Sequence, residues 1–233
     1  MPPAAPYRFL ESAAADAHTV GMSGKHSAVP PEEASVPEAS DAPPFAEGPG
    51  GGLTNHLLIA MPQLADPNFS QTVALICEHT DKGALGIVLN KPLPMKLSDV
   101  LSQMKLEPST DDIGAQPVLR GGPVHTDRGF VLHRPGGQWD HTHKVSEDIQ
   151  VTTSRDVLAA MARGEGPSDA FIALGYAGWE SGQLEREMKD NAWAAMPVDP
   201  RVVFELPFEE RWTGAWRLLG VDVERLSPEA GHA

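Results

Sequence analysis

From Leu53 onward, apolar and polar positions alternate in short runs bounded by turn residues. HLLIAM (56–61) predicts a first strand, and TVALICEH (72–79) with ALGIVLN (84–90) predicts a hairpin turning through TDKG. Val73, Leu75 and Cys77 face one way and Ala74 and Ile76 the other, so this strand is expected to be central and covered on both faces. LSDVLSQMKL (97–106) has helical spacing at Val100, Leu101 and Met104, with Ser98 as the expected N-cap. VLRGG (118–122) and GFVLH (129–133), joined across Thr126, Asp127, Arg128 and Gly129, read as a second hairpin. IQVTT (149–153) then runs into SRDVLAAMARG, where Ser154 caps, Asp156 complements the helix dipole and Gly164 supplies the stop. FIALGYAGW (171–179) is the most apolar later strand. GQLEREMKDNAW continues from it as a helix, VVFEL (202–206) reads as a strand, and a last helix falls near ERWTGAWRLLG (210–220).

The resulting order has too few crossover helices in its first half for a doubly wound parallel sheet, so the expected fold class is α+β. Composition divides the chain unevenly. Residues 1–52 hold nine of the 22 prolines in runs such as VPPEEASVPEASDAPP, with few large apolar side chains. Burial there cannot offset the entropy of ordering, so residues 1–52 are expected to be a disordered extension and residues 53–233 a single domain. MPPAAPYRFLESAAADAHTV lacks the apolar core of a signal peptide, and no run approaches the roughly 20 apolar residues of a membrane helix. The expected location is the cytoplasm, with no membrane partner.

Charge narrows the function classes. The formal charge is −14, of which −5 comes from residues 1–52 (two basic, seven acidic) and −9 from the remainder (16 basic, 25 acidic). Such a domain repels a phosphate backbone, which disfavours direct nucleic-acid binding. The single cysteine, Cys77, excludes an intramolecular disulfide and a cysteine-rich zinc site.

AMPQLADPNFSQTVALICEH, GALGIVLNKP, RGGPVHTDRGFVLH, TTSRDVLAAMARGEGP, ALGYAGWESGQLEREMKDNAW and the terminal LSPEAGHA together resemble the AlgH/YqgE family of bacterial proteins over about residues 53–233. The resemblance implies a bent, bifurcated mixed sheet curled toward a pseudo-barrel with flanking helices. It implies no reaction, and one family name points to a regulatory role.

LGYAGWESGQLE (174–185) outlines a phosphate loop, but its glycines are spaced three and four apart and Glu180, Glu185 and Glu187 crowd the helix start. The expectation is a corner that positions Tyr176 and Trp179. Arg120, Gly121 and Gly122 with Asp127 and Arg128 offer either an anion pocket or an ordinary turn. Asn68 in DPNF joins that pocket if its turn folds beside the arginines, and Ser154 with Arg155 admits either an anion-holding helix start or a cap. His141 and His143 leave any metal site incomplete, so neither metal nor cofactor is expected. Cys77 shares a strand face with His79, which permits a nucleophile–base pair, although a core cysteine is the commoner use. The leading expectation is a non-enzymatic regulatory or adaptor protein that binds a protein partner or a small anionic ligand. An enzyme acting on a small anionic substrate and a DNA-contacting regulator are the alternatives.

Overall fold

The computed structural model describes residues 52–223. The expectation of disorder for residues 1–51 and the LSPEAGHA motif lie outside the described residues. Ten strands form one mixed sheet: β1 (His56–Ala60), β2 (Val73–Thr80), β3 (Gly83–Val88), β4 (Pro92–Lys96), β5 (Pro117–Arg120), β6 (Val124–His133), β7 (Thr142–Lys144), β8 (Gln150–Thr152), β9 (Phe171–Glu180) and β10 (Trp193–Pro197). The main path runs β10-β1-β2-β3-β9-β6-β8-β7, and β4 and β5 branch from it at β9. The fold is α+β, a curled half-barrel with six helices: α1 (Leu97–Gln103), α2 (Asp111–Gly114), α3 (Arg155–Arg163), α4 (Gln183–Lys189), α5 (Pro200–Phe204) and α6 (Arg211–Leu218).

β9 organises this sheet. Along one edge its residues 172–174 pair parallel with β5, and its residues 177–180 pair antiparallel with β3. Along the other edge β6 pairs with residues 171–174 and with Tyr176. Phe171 and Ala173 pack into the core under α5 and α6, while Ile172 and Leu174 pack under α1 and α3. Beyond Gly175 the alternation inverts: Tyr176 returns to the first face, and Ala177 and Trp179 turn toward α4. Gly175 absorbs this flip with φ 73°, a conformation that a side chain opposes.

The chain leaving β5 crosses the strand at the same place. Gly121 N–H donates to the Leu174 carbonyl at 2.7 Å. A Cβ on Gly121 would overlap the Gly175 carbonyl oxygen, and one on Gly122 would overlap the Tyr176 carbonyl. These glycines let β5 and β6 occupy opposite edges of β9. The VLRGG–GFVLH hairpin is therefore corrected: the two strands do not pair, and Thr126–Gly129 lies within β6.

Both faces of β1 and β2 are buried, as their apolar patterns require. Leu57, Ile59, Val73, Leu75 and Cys77 join the α5/α6 core, and Leu58, Ala60 and Ile76 join the α4 core. Other local readings change. PLPMK (92–96) forms strand β4, which pairs only with β5, where its prolines need donate nothing on the open side. The VVF of VVFEL is helical, because the Asp199 side chain accepts from Arg201 N–H at 2.9 Å and Pro200 suits the first turn. The helix expected to reach Trp193 stops at Lys189, Asn191 turns the chain with φ 54°, and WAAMP becomes β10. Lys96 is the N-cap of α1 in place of Ser98, its N–H donating to Asp99 at 2.8 Å.

Gly122→Ala is expected to destabilise the fold by about 2–4 kcal/mol, because backbone must move to admit the methyl group. Gly178→Ala, whose Cβ would meet its nearest atom at 3.4 Å, is expected to cost less than about 0.5 kcal/mol. Urea unfolding of the two variants beside the parent checks the contrast.

Candidate functional site

The concave face opens between β2, β3 and β9 into a groove enclosing about 410 Å³. Strand register builds it. Glu78 pairs with Leu85 and Leu85 with Gly178, while Thr80 pairs with Gly83 and Gly83 with Glu180. These two rows share one face, with Tyr176 at one end and Lys82 at the turn. The Tyr176 ring stands edge-on to Phe130, with centroids 5.9 Å apart, and stacks on His125 at 5.9 Å.

A bulge between Ile76 and Glu78 puts Glu78 on this face. It also dismantles the Cys77–His79 pair. Cys77 is fully buried in the α5/α6 core, where burial and the charge of Glu78 push its thiol well above the ordinary range. His79 instead turns toward α4. Leu53 N–H donates to its Nδ1 at 3.0 Å, which leaves Nε2–H to donate to Glu185 at 2.8 Å. The extra residue of a bulge breaks the period-two alternation on which the pairing rested.

The acids of LGYAGWESGQLE have structural partners. Glu187 Oε2 accepts from the indole N–H groups of Trp179 and Trp193, each at 2.9 Å, and its Oε1 accepts from Gln183 at 2.8 Å. Trp179 is buried in the α4 core and offers only an edge to the groove. Gly175 and Gly178 lie within β9, and Gly182 alone occupies the corner before α4.

The structure separates the expected arginine constellation. Arg120 ends β5 and Arg128 lies in β6, so β9 stands between the strands that carry them. The glycine amides contribute little, since Gly121 N–H is bound to Leu174. Asp127 lies beside Arg128 in β6, partly buried. Ser154 heads α3 as expected, yet its hydroxyl donates to the Asp140 carbonyl and to Asp156. Asp156 accepts from the Val157 N–H of the first turn and from the Asp140 N–H outside the helix, at 2.9 Å each. Arg155 donates to the Met104 carbonyl at 2.8 Å and so ties α3 to the end of α1.

A different cation joins Arg120. Arg120 N–H donates to the Lys91 carbonyl at 2.7 Å, and the charge of Arg120 adds to burial in lowering the Lys91 pKa. Lys91 Nζ donates to the Ser70 carbonyl at 2.8 Å. Asn90 staples the same loop, accepting from Val73 N–H and donating to the Gln71 carbonyl. Asn68 lies exposed in that loop, its N–H donating to Asp66 at 2.8 Å. Neither Lys91 nor Arg120 forms an ion pair among the described residues. Arg211 anchors the residue before Asn90: its guanidinium, buried between Phe171 and Phe208, donates to the Leu89 carbonyl at 2.7 Å. Burial lowers its pKa to about 10.

The residues of a model described as AlgH-like match residues 57–224. The chain belongs to the AlgH-like family. It is 55% identical over 182 residues to the UPF0301 protein Tgr7_2910 of Thioalkalivibrio sulfidiphilus, covering 78% of this chain and 97% of that relative. A UPF0301 protein of Nitrosococcus oceani is 50% identical over 179 residues, covering 77% of this chain and 96% of the relative. The solution structure of AlgH from Pseudomonas aeruginosa superposes with a TM-score of 0.66 at 47% identity, covering 81% of this chain and all of that one. DIP2367 from Corynebacterium diphtheriae shares the fold at 17% identity, with a TM-score of 0.57 over 72% of this chain and 88% of that one. No established activity of the family assigns these side chains a reaction. Among the described residues no helix is long and apolar enough to cross a membrane, and no cluster of three metal-ligating side chains forms.

His133 yields a pH prediction. It is fully buried, with Nδ1–H donating to the Arg134 carbonyl at 2.8 Å and Nε2 facing the Thr152 hydroxyl at 2.8 Å. Burial lowers its pKa, opposed by the bond to the Arg134 carbonyl. The unfolded chain then binds a proton more readily than the folded one. Its contribution is full above the unfolded value of about 6.5 and is lost as pH falls through that value toward the folded pKa. Urea midpoints between pH 8 and pH 5 should fall for the parent, and less steeply for His133→Gln.

Proposed function

We propose that this protein is a non-enzymatic regulatory or adaptor protein that recognises an anionic group, either a small ligand or an acidic patch of a protein partner. The carrying observation is the Lys91–Arg120 pair. Two cations adjoin on a domain with a large acidic excess, yet neither pairs with a carboxylate among the described residues. Their mutual repulsion disfavours the unbound state and is relieved by a shared anion. Arg211 holds the Leu89 carbonyl and Asn90 bonds to Val73 and Gln71, which fixes the backbone leading into Lys91 and reduces the ordering cost of binding. Asn68 stands on the attached loop as a further polar contact.

The side chains considered for catalysis support this reading by their engagements. The Cys77 thiol is sealed in the core, His79 is held by Leu53 and Glu185, and Ser154 is spent on Asp140 and Asp156. A pocket joining Asp127 and Arg128 to Arg120, and an anion-holding helix start at Ser154 and Arg155, draw no support from this geometry. The acidic average of the domain weighs against a phosphodiester backbone as the anion.

Isothermal titration with inorganic phosphate, citrate and a glutamate-rich peptide checks the proposal. At least one should bind, and Lys91→Ala or Arg120→Ala should weaken it about tenfold, corresponding to about 1.4 kcal/mol. Binding unchanged by both substitutions, or turnover of a substrate panel abolished by Arg120→Ala, would contradict it.

A further inference from the structure

The C-terminal half of β9 has an open edge. β3 pairs with residues 177–180 on one side, but β6 leaves after Tyr176, and no strand among the described residues pairs with 177–180 on the other. The Glu180 N–H donates to the Gln183 side chain at 2.9 Å, so the edge is bare at Gly178. This edge borders the groove, whose floor and ends include Gly178, Tyr176 and Glu180.

Gly178 is the informative residue. It is exposed in the middle of a ten-residue strand, at a position where glycine sacrifices both packing and chain entropy. The fold does not require it. Its φ lies outside the left-handed range, and a Cβ would meet Tyr176 at 3.4 Å and Val124 at 3.8 Å, both ordinary contacts. By contrast, a Cβ on its neighbour Gly83 would overlap the Trp179 carbonyl. Gly83 is explained by the sheet itself, whereas Gly178 keeps the backbone bare beside an open edge. A bare, unpaired strand edge is what an incoming extended segment pairs with.

Charge selects the occupant. Glu78 and Glu180 stand on β2 and β9, which a strand spacing of about 4.8 Å puts about 10 Å apart, with Lys82 the lone cation lining the groove. A second copy of this chain pairing through the same edge would bring two such acid-bearing grooves together. An extended segment with basic side chains on alternate residues instead pairs its backbone with Gly178 and places its cations beside Glu180. Glu78, three strand spacings away at about 14 Å, adds to the acidic field of the groove. We infer that the edge of β9 at Gly178 accepts, by strand addition, an extended segment of a partner protein whose groove-facing side chains are lysine or arginine. This site is separate from the Lys91–Arg120 pair, and its chemistry is opposite in sign.

The test uses the full chain and two capped octapeptides, one alternating valine with lysine and one alternating valine with glutamate. Binding is followed by amide hydrogen exchange and by titration of backbone amide resonances. The lysine peptide should slow exchange at the Gly178 amide, shift resonances over 176–180 and bind at least tenfold more tightly than the glutamate peptide. Glu180→Lys should remove that preference. Gly178→Pro, which deletes the paired N–H, should abolish protection; should that variant fail to fold, Gly178→Val keeps the N–H, fills the groove and should weaken binding about tenfold. Equal binding of the two peptides would overturn the inference, as would protection confined to another edge. So would a Gly178 amide already protected before peptide is added, which means that another segment or a second copy covers the edge. Loss of phosphate or citrate binding in Lys91→Ala with peptide binding intact would separate this site from the anion site.

Discussion

Two backbones meet with no room for a side chain where Gly121 and Gly122 cross Gly175 and Tyr176, and the course of the sheet depends on that crossing. Without it, β5 and β6 would be expected to fold back on each other as a hairpin. With it, they take opposite edges of β9, the sheet branches, and two cores form beneath successive halves of one strand. The positive φ at Gly175 supplies the second half of the device by inverting which side chains face which core. A side chain at any of these three positions puts backbone packing and strand direction in conflict.

That branching determines where recognition surfaces arise. Because β5 ends at the crossing, Arg120 emerges beside Lys91 at the mouth of the β3–β4 connection, which Arg211 holds from the core. Because β6 leaves β9 after Tyr176, the last four residues of β9 lack a strand partner on one edge among the described residues, and the concave face stays open above Gly178. The α4 side is closed by comparison: Glu187 satisfies two indole donors, and His79 joins Glu185. A buried donor deprived of its partner costs about 1–3 kcal/mol, so that side reads as support for β9.

Much of this was legible from residue patterns. The two-faced apolar run of 72–79 marked β2 as a central strand, the runs at 56–61 and 171–179 marked β1 and β9 as strands, and the blocks from AMPQLADPNF to QLEREMKDNAW carried the family resemblance. Elements whose signals conflict were harder to read. PLPMK has two prolines in a strand, and VVFEL is β-branched yet helical because Asp199 and Pro200 start it. Arg120 was identifiable as a candidate, but its neighbour Lys91 lies 29 positions away and meets it only through the β4–β5 pairing. Among the glycines of 174–185, Gly175 carried a real signal of close approach, and what approaches is the chain's own backbone. The bulge at Cys77 had no local signature, so the pairing of Cys77 with His79 followed correctly from alternation and failed in three dimensions.

Native-state hydrogen exchange at the Gly121 amide tests the central claim most directly. If the crossing holds the sheet together, the bond from this amide to the Leu174 carbonyl opens only when the whole domain unfolds. Its exchange free energy should then equal the global unfolding free energy and shift with urea at the global slope. Exchange through a local opening, with a lower free energy and little urea dependence, would contradict the account.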